Sequence, residues 1–283
     1  MPIGAHMSIA GGIGKAFLRG HEVGCEVIQI FTKSSNQWKA RPISEEEMRE
    51  FEDNGKSTGI WPVLAHNSYL INLASPEDEL YKKSMDAMFL EMNRAETLGL
   101  HHITMHPGAH VGSGEEAGLK RIAEALNLLF DKTKGSNVNL LLETTAGQGT
   151  VLGHRFEHIA EIIDGVNDSN RVGVCLDTCH TYVAGYDLKR KYDEVFEEFD
   201  KIVGMERLKA LHLNDTLKGL GSRVDRHWHI GKGELGIDTF KQIMRDGRLK
   251  DLPMIIETPK GVDEDGRDLD AINLGILRKL RRK

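Results

Sequence analysis

The chain has 283 residues, of which 40% are hydrophobic and 28% charged, with a formal net charge of −6 and a pI near 6.1. That length accommodates a single α/β barrel with its own core, and the acidic balance excludes nucleic-acid binding through a generally basic surface. Alone, the composition reads as an ordinary metabolic enzyme, so any contact with DNA has to come from local basic loops or from bound metal.

In chain order, short apolar runs fall at 3–6, 27–31, 62–66, 103–106, 138–143, 172–177, 208–213 and 253–257. Each is followed by a segment of helical character. Ser44 with Glu47 forms a capping box after the second run. Ser75-Pro76 places a cap residue before a proline at a first helical position, and the helix of 76–98 stops at Gly99. Apolar strands that alternate with helices pair in parallel under a helical cover. Eight such units predict a closed (β/α)8 TIM barrel. No linker or low-complexity tract divides residues 1–283, so one domain is expected. No apolar run reaches the roughly 18 residues of a membrane span. The start, Met1-Pro2-Ile3-Gly4-Ala5-His6, has neither the basic nor the apolar stretch of a secretion signal. Cys25, Cys175 and Cys179 cannot make a disulfide framework, and a cytoplasmic location is the expectation.

The chemistry sits where the runs end. The third closes on His66, the fourth on His106, the fifth on Glu143 and the sixth on Asp177; the seventh carries His212 near its end and the eighth closes on Glu257. Ionisable side chains are rare in apolar strands unless their burial is compensated. In a parallel barrel all these ends open on one face, where active sites are built. Taken singly, each histidine reads as a core residue with its hydrogen bonds met. Six potential ligands at one mouth read as a metal site.

Two further clusters extend the set. Asp177-Thr178-Cys179-His180 puts another imidazole just past the sixth run, and Asp225-Arg226-His227 can place two side chains on one ion if its backbone is extended. The nine candidates are His66, His106, Glu143, Asp177, His180, His212, Asp225, His227 and Glu257. Imidazole and carboxylate ligands without thiolate suit zinc or manganese in open-coordinated sites. At three or four ligands per ion, with one shared, nine imply about three ions. Three divalent ions bring about +6 against −4 from Glu143, Asp177, Asp225 and Glu257, so the mouth is left near about +2 and attracts phosphate.

Other groups carry weaker signals. Cys175 and Cys179 read as packed side chains. His110, separated from His106 by Pro107 and Gly108, is expected to stand behind the ligands, and His229 either contacts phosphate or is solvated. Thr144-Thr145-Ala146-Gly147-Gln148-Gly149 lacks both nucleotide-binding fingerprints. The tail Leu277-Arg278-Lys279-Leu280-Arg281-Arg282-Lys283 reads as a solvated helix end rather than a DNA anchor.

Over essentially its whole length the sequence resembles the endonuclease IV family of abasic-site endonucleases. The stretches that carry the resemblance are Gly4-Ala5-His6-Met7-Ser8, His66-Asn67-Ser68-Tyr69-Leu70-Ile71-Asn72, His106-Pro107-Gly108-Ala109-His110, Glu143-Thr144-Thr145-Ala146-Gly147-Gln148-Gly149, Asp177-Thr178-Cys179-His180, His212-Leu213-Asn214-Asp215 and Asp225-Arg226-His227.

The resemblance implies a trinuclear zinc site. His66 and His106 would hold one Zn2+ that shares Glu143 with a second, Asp177, His212 and Glu257 would complete the second, and His180, Asp225 and His227 would hold the third. Glu143 and Glu257 are the candidate catalytic carboxylates. It also implies DNA-contacting loops after the second, third and seventh strands, with Asn36, Gln37, Tyr69, Leu70 and Arg226 as candidate contacts. The first of these loops reads Lys33-Ser34-Ser35-Asn36-Gln37-Trp38-Lys39-Ala40-Arg41, where basic, amide and aromatic residues interleave. Some relatives carry arginine where this chain has Asn36. The implied function is a DNA-repair endonuclease acting as a monomer on duplex DNA that contains abasic sites. It would hydrolyse the 5′ phosphodiester to leave a 3′-hydroxyl and a 5′-deoxyribose phosphate, and would clean blocked 3′ ends. The competing reading is a metal-dependent sugar isomerase or epimerase on the same barrel, which needs one or two ions and has no use for Asp225 and His227. A non-catalytic metal-binding module is the third.

Overall fold

The computed structural model describes residues 1–281, so Arg282 and Lys283 of the basic tail lie outside the described residues. From the N-terminus run β1 (Ile3–His6), α1 (Lys15–Val23), β2 (Val27–Phe31), α2 (Glu45–Thr58), β3 (Val63–His66), α3 (Asp78–Thr97), β4 (His102–Met105) and α4 (Glu115–Lys132). Then follow β5 (Asn139–Glu143), α5 (Phe156–Asp164), β6 (Val172–Asp177), α6 (Thr178–Ala184), α7 (Tyr192–Ile202) and β7 (Leu208–His212). The last part holds β8 (Asp215–Thr216), β9 (His227–Trp228), α8 (Ile237–Ile243), β10 (Met254–Ile256) and α9 (Leu269–Arg281). Eight strands close in the order β1-β10-β7-β6-β5-β4-β3-β2, all parallel, which is a TIM barrel. β8 and β9 form a separate antiparallel pair above β7. No helix among the described residues is long and apolar enough to cross a membrane.

Local chemistry explains the boundaries. The capping box forms: Ser44 Oγ accepts from the Glu47 amide while the Glu47 carboxylate accepts from the Ser44 amide. α3 begins two residues later than the Ser75-Pro76 pair predicts. Ser75 Oγ takes the Glu77 amide at 3.2 Å, a local turn that holds 75–77 outside the helix and leaves Glu77 as the cap. The helix still ends before Gly99, at φ 69°.

The barrel's interior sets the site's height. Val27, Leu64, Leu141, Cys175, Ala210 and Ile255 form a small core cluster of their own, apart from the large one between strands and helices. Side chains alternate along a strand, so the residue two further on points the same way. Two residues beyond these six stand Gln29, His66, Glu143, Asp177, His212 and Glu257. Gly4 in β1 lies in register with Val27 and Ile255, and His6, two residues on, pairs with Gln29. An added Cβ at Gly4 would sit 1.5 Å from the Val27 carbonyl oxygen, so only glycine fits there. The apolar layer is the floor, and the ionisable layer stands one pleat above it.

Candidate metal centre at the barrel mouth

Six of the nine predicted ligands end up on strands or immediately past them. His66, Glu143, Asp177 and His212 close β3, β5, β6 and β7; His106 and Glu257 follow β4 and β10 by one residue. The other three come from the segments above. Asp177 caps α6, its Oδ1 accepting the His180 amide at 2.8 Å, which puts His180 in the first helical turn. Asp225 and His227 arrive on the β8–β9 excursion, where Thr216 pairs with His227.

The structure brings the nine together in three groups: His66, His106 and Glu143; Glu143, Asp177, His212 and Glu257; and His180, Asp225 and His227. Within each group the ligand atoms lie within 4.8 Å of one another. Glu143 joins the first two. Its Oε2 is 3.1 Å from His66 Nε2 and 3.2 Å from His106 Nε2, while its Oε1 is 3.0 Å from His212 Nδ1. Glu257 Oε2 lies 3.3 Å from that same His212 nitrogen. In the third group, Asp225 Oδ2 is 3.1 Å from His180 Nε2, and Asp225 Oδ1 is 3.4 Å from His227 Nε2.

The imidazoles are held by the nitrogen that faces away. His66 Nδ1 donates to the Asn67 carbonyl at 2.7 Å, His180 Nδ1 to that of Thr144 at 2.9 Å, and His227 Nδ1 to that of Glu257 at 3.3 Å. Each therefore presents Nε2 to the cluster, the arrangement by which proteins orient metal-binding histidines. With both rings neutral, the Nε2 lone pairs of His180 and His227 face each other at 3.3 Å, which a cation or a shared proton has to relieve. A buried set of carboxylates and outward-anchored imidazoles fits divalent cations of the zinc type.

The electrostatics agree. Burial opposes ionisation of Glu143, but His212, His106 and His180 outweigh it and hold the carboxyl well below its usual range. Burial opposes ionisation of Asp225 too, and the hydrogen bond from His180, with the charges of His180, His227 and His106, brings it down to about 2. These carboxylates stay ionised at neutral pH and remain available as ligands. Cys179 also lies near Asp177 and His227. Burial pushes its thiol up to about 12.

A cavity of about 470 Å³ opens over the cluster, lined by His6, Phe31, Tyr69, Thr258 and Lys260 besides the ligands. An adjoining one of about 340 Å³ runs from His180 and Asp225 to Gln148 and Arg226. A larger cavity of about 560 Å³ lies among Phe17, Phe51, Ile60, Trp61 and Leu98, and none of the groups able to hold a metal lines it.

Residues 17–279 match a family described as a xylose isomerase-like TIM barrel. A probable endonuclease 4 of Chloroflexus aggregans is 52% identical over 281 residues, covering 99% of this chain and 97% of its own. The crystal structure of endonuclease IV from Thermus thermophilus matches with a TM-score of 0.86 at 36% identity, over 99% of this chain and 98% of that one. The chain belongs to the endonuclease IV family. A D-tagatose 3-epimerase-like protein also shares the barrel, with a TM-score of 0.75 over 99% of this chain and 97% of that one. At 18% identity that likeness speaks for the fold alone.

Seen within endonuclease IV, the loops predicted to meet DNA divide in two. Tyr69 is 61% exposed, its ring packed edge-on against Phe31 and tilted over His66, beside the ligands. Asn36, Gln37 and Arg226 are exposed and Leu70 is half-buried. Lys33, by contrast, does not face solvent. Its Nζ is buried against Glu91 at 3.0 Å and donates to the Gln37 carbonyl. Glu91, on α3, also accepts from Thr32 and from the Ser68 amide, so one buried carboxylate ties together the loops after β2 and β3. Arg41 is likewise engaged by Glu47. Lys33 and Arg41 shape this loop, and its exposed Asn36, Gln37 and Lys39 are left to meet a ligand.

His110 is a second correction. Its Nδ1 accepts the amides of Gly112 and Gly114, which closes the turn before α4 rather than supporting a ligand. His229 is held through Nδ1 by Asn273 at 3.1 Å. The sequence reading passed over three residues of the mouth. Asn214 donates to Asp177 Oδ2 at 2.7 Å and accepts the Glu257 amide at 2.7 Å, orienting two candidate ligands at once. Gln29 touches His212 and Glu257. Lys260 lines the cavity with its Nζ 2.5 Å from Asp270. An amide within the apolar run of 27–31 was the visible signal for Gln29; nothing local marks the other two.

Proposed function

We propose that the chain is a zinc-dependent endonuclease that cleaves duplex DNA on the 5′ side of an abasic residue, leaving a 3′-hydroxyl and a 5′-deoxyribose phosphate. We also propose that it clears blocking groups from 3′ ends. The observation that carries this reading is the convergence of five imidazoles and four carboxylates in three adjoining groups at one mouth. His66, His106 and Glu143 would hold one ion, Glu143, Asp177, His212 and Glu257 a second, and His180, Asp225 and His227 a third. When bound, such ions supply the positive charge that activates water and stabilises a phosphoryl transition state.

The chain's own residues do the rest. Glu143 and Glu257 are the carboxylates placed to hold the reacting centre, and Asn214 keeps Asp177 and Glu257 in position. Asn36, Gln37 and Arg226 stand on exposed loops able to meet phosphates. Tyr69, with Leu70 beside it, offers a ring to the space a flipped sugar leaves, and flipping costs least where pairing and stacking are already lost. All nine ligands come from one chain, so a monomer carries the whole site. The three thiols are unpaired and buried, which suits a reducing cytoplasm. A sugar epimerase of this barrel would leave Asp225 and His227 without a purpose.

A lyase would instead attack the sugar aldehyde with an amine and eliminate on the 3′ side. Lys260 is the amine at the mouth, and Asp270 engages it. Borohydride added during turnover on a duplex with one abasic residue is expected to trap no covalent adduct, and a polymerase should extend the product's 3′ end directly. A trapped adduct or an unextendable end sinks the hydrolytic reading.

A further inference from the structure

Gln29 lies midway along β2, fully buried, with its side chain among three ionisable groups. Its donor and acceptor ends can be told apart. One end lies 2.7 Å from Glu257 Oε1, and a carboxylate oxygen only accepts, so that end is the amide Nε2. The other end is therefore the carbonyl Oε1, which lies 2.9 Å from His212 Nε2. A carbonyl only accepts as well, so His212 carries a proton on Nε2 and directs Nδ1 at Glu143 and Glu257. The amide nitrogen also lies 3.0 Å from His6 Nδ1, which is itself 3.3 Å from Glu257 Oε1.

This makes His212 the exception among the clustered histidines. His66, His180 and His227 are anchored by Nδ1 on main-chain carbonyls and offer Nε2. His212 is anchored by Nε2 on a side chain and offers Nδ1. A main-chain carbonyl is present whatever the sequence, whereas this anchor depends on one residue. The same amide grips Glu257, another member of the same group.

We propose that Gln29 is the positioning residue of the group formed by Glu143, Asp177, His212 and Glu257. It sets the His212 tautomer with its carbonyl and the Glu257 carboxylate with its amide. The inference rests on that group holding a metal ion. Removing such a partner typically lowers metal affinity about 10–100-fold. In Gln29→Leu, His212 Nε2–H loses its acceptor and Glu257 its donor. Gln29→Glu keeps the shape and the acceptor for His212 but sets a carboxylate against Glu257.

The test is chelator competition on the zinc-loaded protein, reading each ion's affinity, with the melting temperature of the metal-free protein beside it. One of the ions is expected to be held about 10–100-fold more weakly in both variants, with the others unchanged. Long-range proton–nitrogen spectra should show His212 as a single Nε2–H tautomer in the wild type and in Gln29→Glu, and as a mixture in Gln29→Leu. A merely structural role would lower the melting temperature and leave every affinity in place, which overturns the proposal. So do variants that both hold all their zinc as tightly as the wild type. A wild-type chain that takes up no zinc removes the metal reading and this one together, and the two failures are thereby distinguishable. Gln29→Glu, isosteric with the native residue, decides the case if Gln29→Leu does not fold.

Discussion

The six strand-end groups and the three groups above them look alike as ligands but differ in what holds them. His66, Glu143, Asp177 and His212 are buried to 1% exposure or less and sit one pleat above the barrel's apolar floor. Their positions follow from strand register, so they move only if the barrel moves. His180 hangs on the cap of α6, and Asp225, with a side chain 42% exposed, comes in on the β8–β9 excursion. That excursion is pinned by few bonds, among them the Arg223 amide on the Val183 carbonyl and the Gly221 amide on that of Tyr182. The first set belongs to the fold, and the second is added to it. A change in the first should therefore cost stability and activity together, and a change in the second should separate them.

The sharpest break in that comparison is expected at Glu143, which serves two groups. Glu143→Ala strips a buried carboxylate from among His66, His106, His180 and His212. Cleavage should fall below detection, and unfolding by urea should show a loss of about 3–5 kcal/mol, as for other broken buried ion clusters. Normal stability in that variant would mean that the strand-borne set is not part of the fold's support. At Asp225 the two effects should part. Asp225→Ala is expected to lose one zinc by elemental analysis and orders of magnitude in rate, while the metal-free protein loses less stability in urea than Glu143→Ala does, because Asp225 is partly exposed. An unfolded variant, or one with full zinc and full rate, contradicts the assignment.

Smaller effects belong to the rim, where neither strand register nor a ligand is at stake. Tyr69→Ala should weaken binding to abasic duplex by about 1–3 kcal/mol and binding to intact duplex by less, as titrations of both would show. Equal weakening on the two would reduce Tyr69 to packing for His66 and His106. The mildest change is Asn36→Arg. One added cation on the exposed loop should steepen the salt dependence of DNA binding by about one unit of log–log slope. An unchanged slope would place position 36 away from the phosphates.

What could be read in advance follows the same division. The barrel was legible because eight apolar runs alternate with helical segments, and the site because six of those runs carry a candidate carboxylate or imidazole ligand at or near their ends, which a parallel barrel sends to one face. The same logic reached His180 and the Asp225–His227 pair through their spacing alone. Lys33 was misread because its partner, Glu91, stands on a helix far along the chain, and a buried ion pair leaves no trace in the loop's own composition. His110 was misread because proline and glycine around it mark a turn without saying which atoms close it. Gln29 and Asn214 escaped because their role depends on which strands become neighbours. Gln29 meets Glu257 only because β1 brings β2 and β10 to the same part of the barrel. Six of the nine candidate ligands are thus a property of strand ends, and the side chains that orient them are a property of closure.

The account turns on metal at the mouth acting on abasic DNA, and one titration addresses it directly. The protein would be freed of metal by a strong chelator, then given zinc in steps, with cleavage of a duplex carrying a single abasic residue measured at each step. The metal-free chain should be folded and inactive, and activity should rise with zinc and level off near about three equivalents, the number implied by nine ligands with one shared. A metal-free chain that cleaves the duplex as fast as the loaded one would contradict the account.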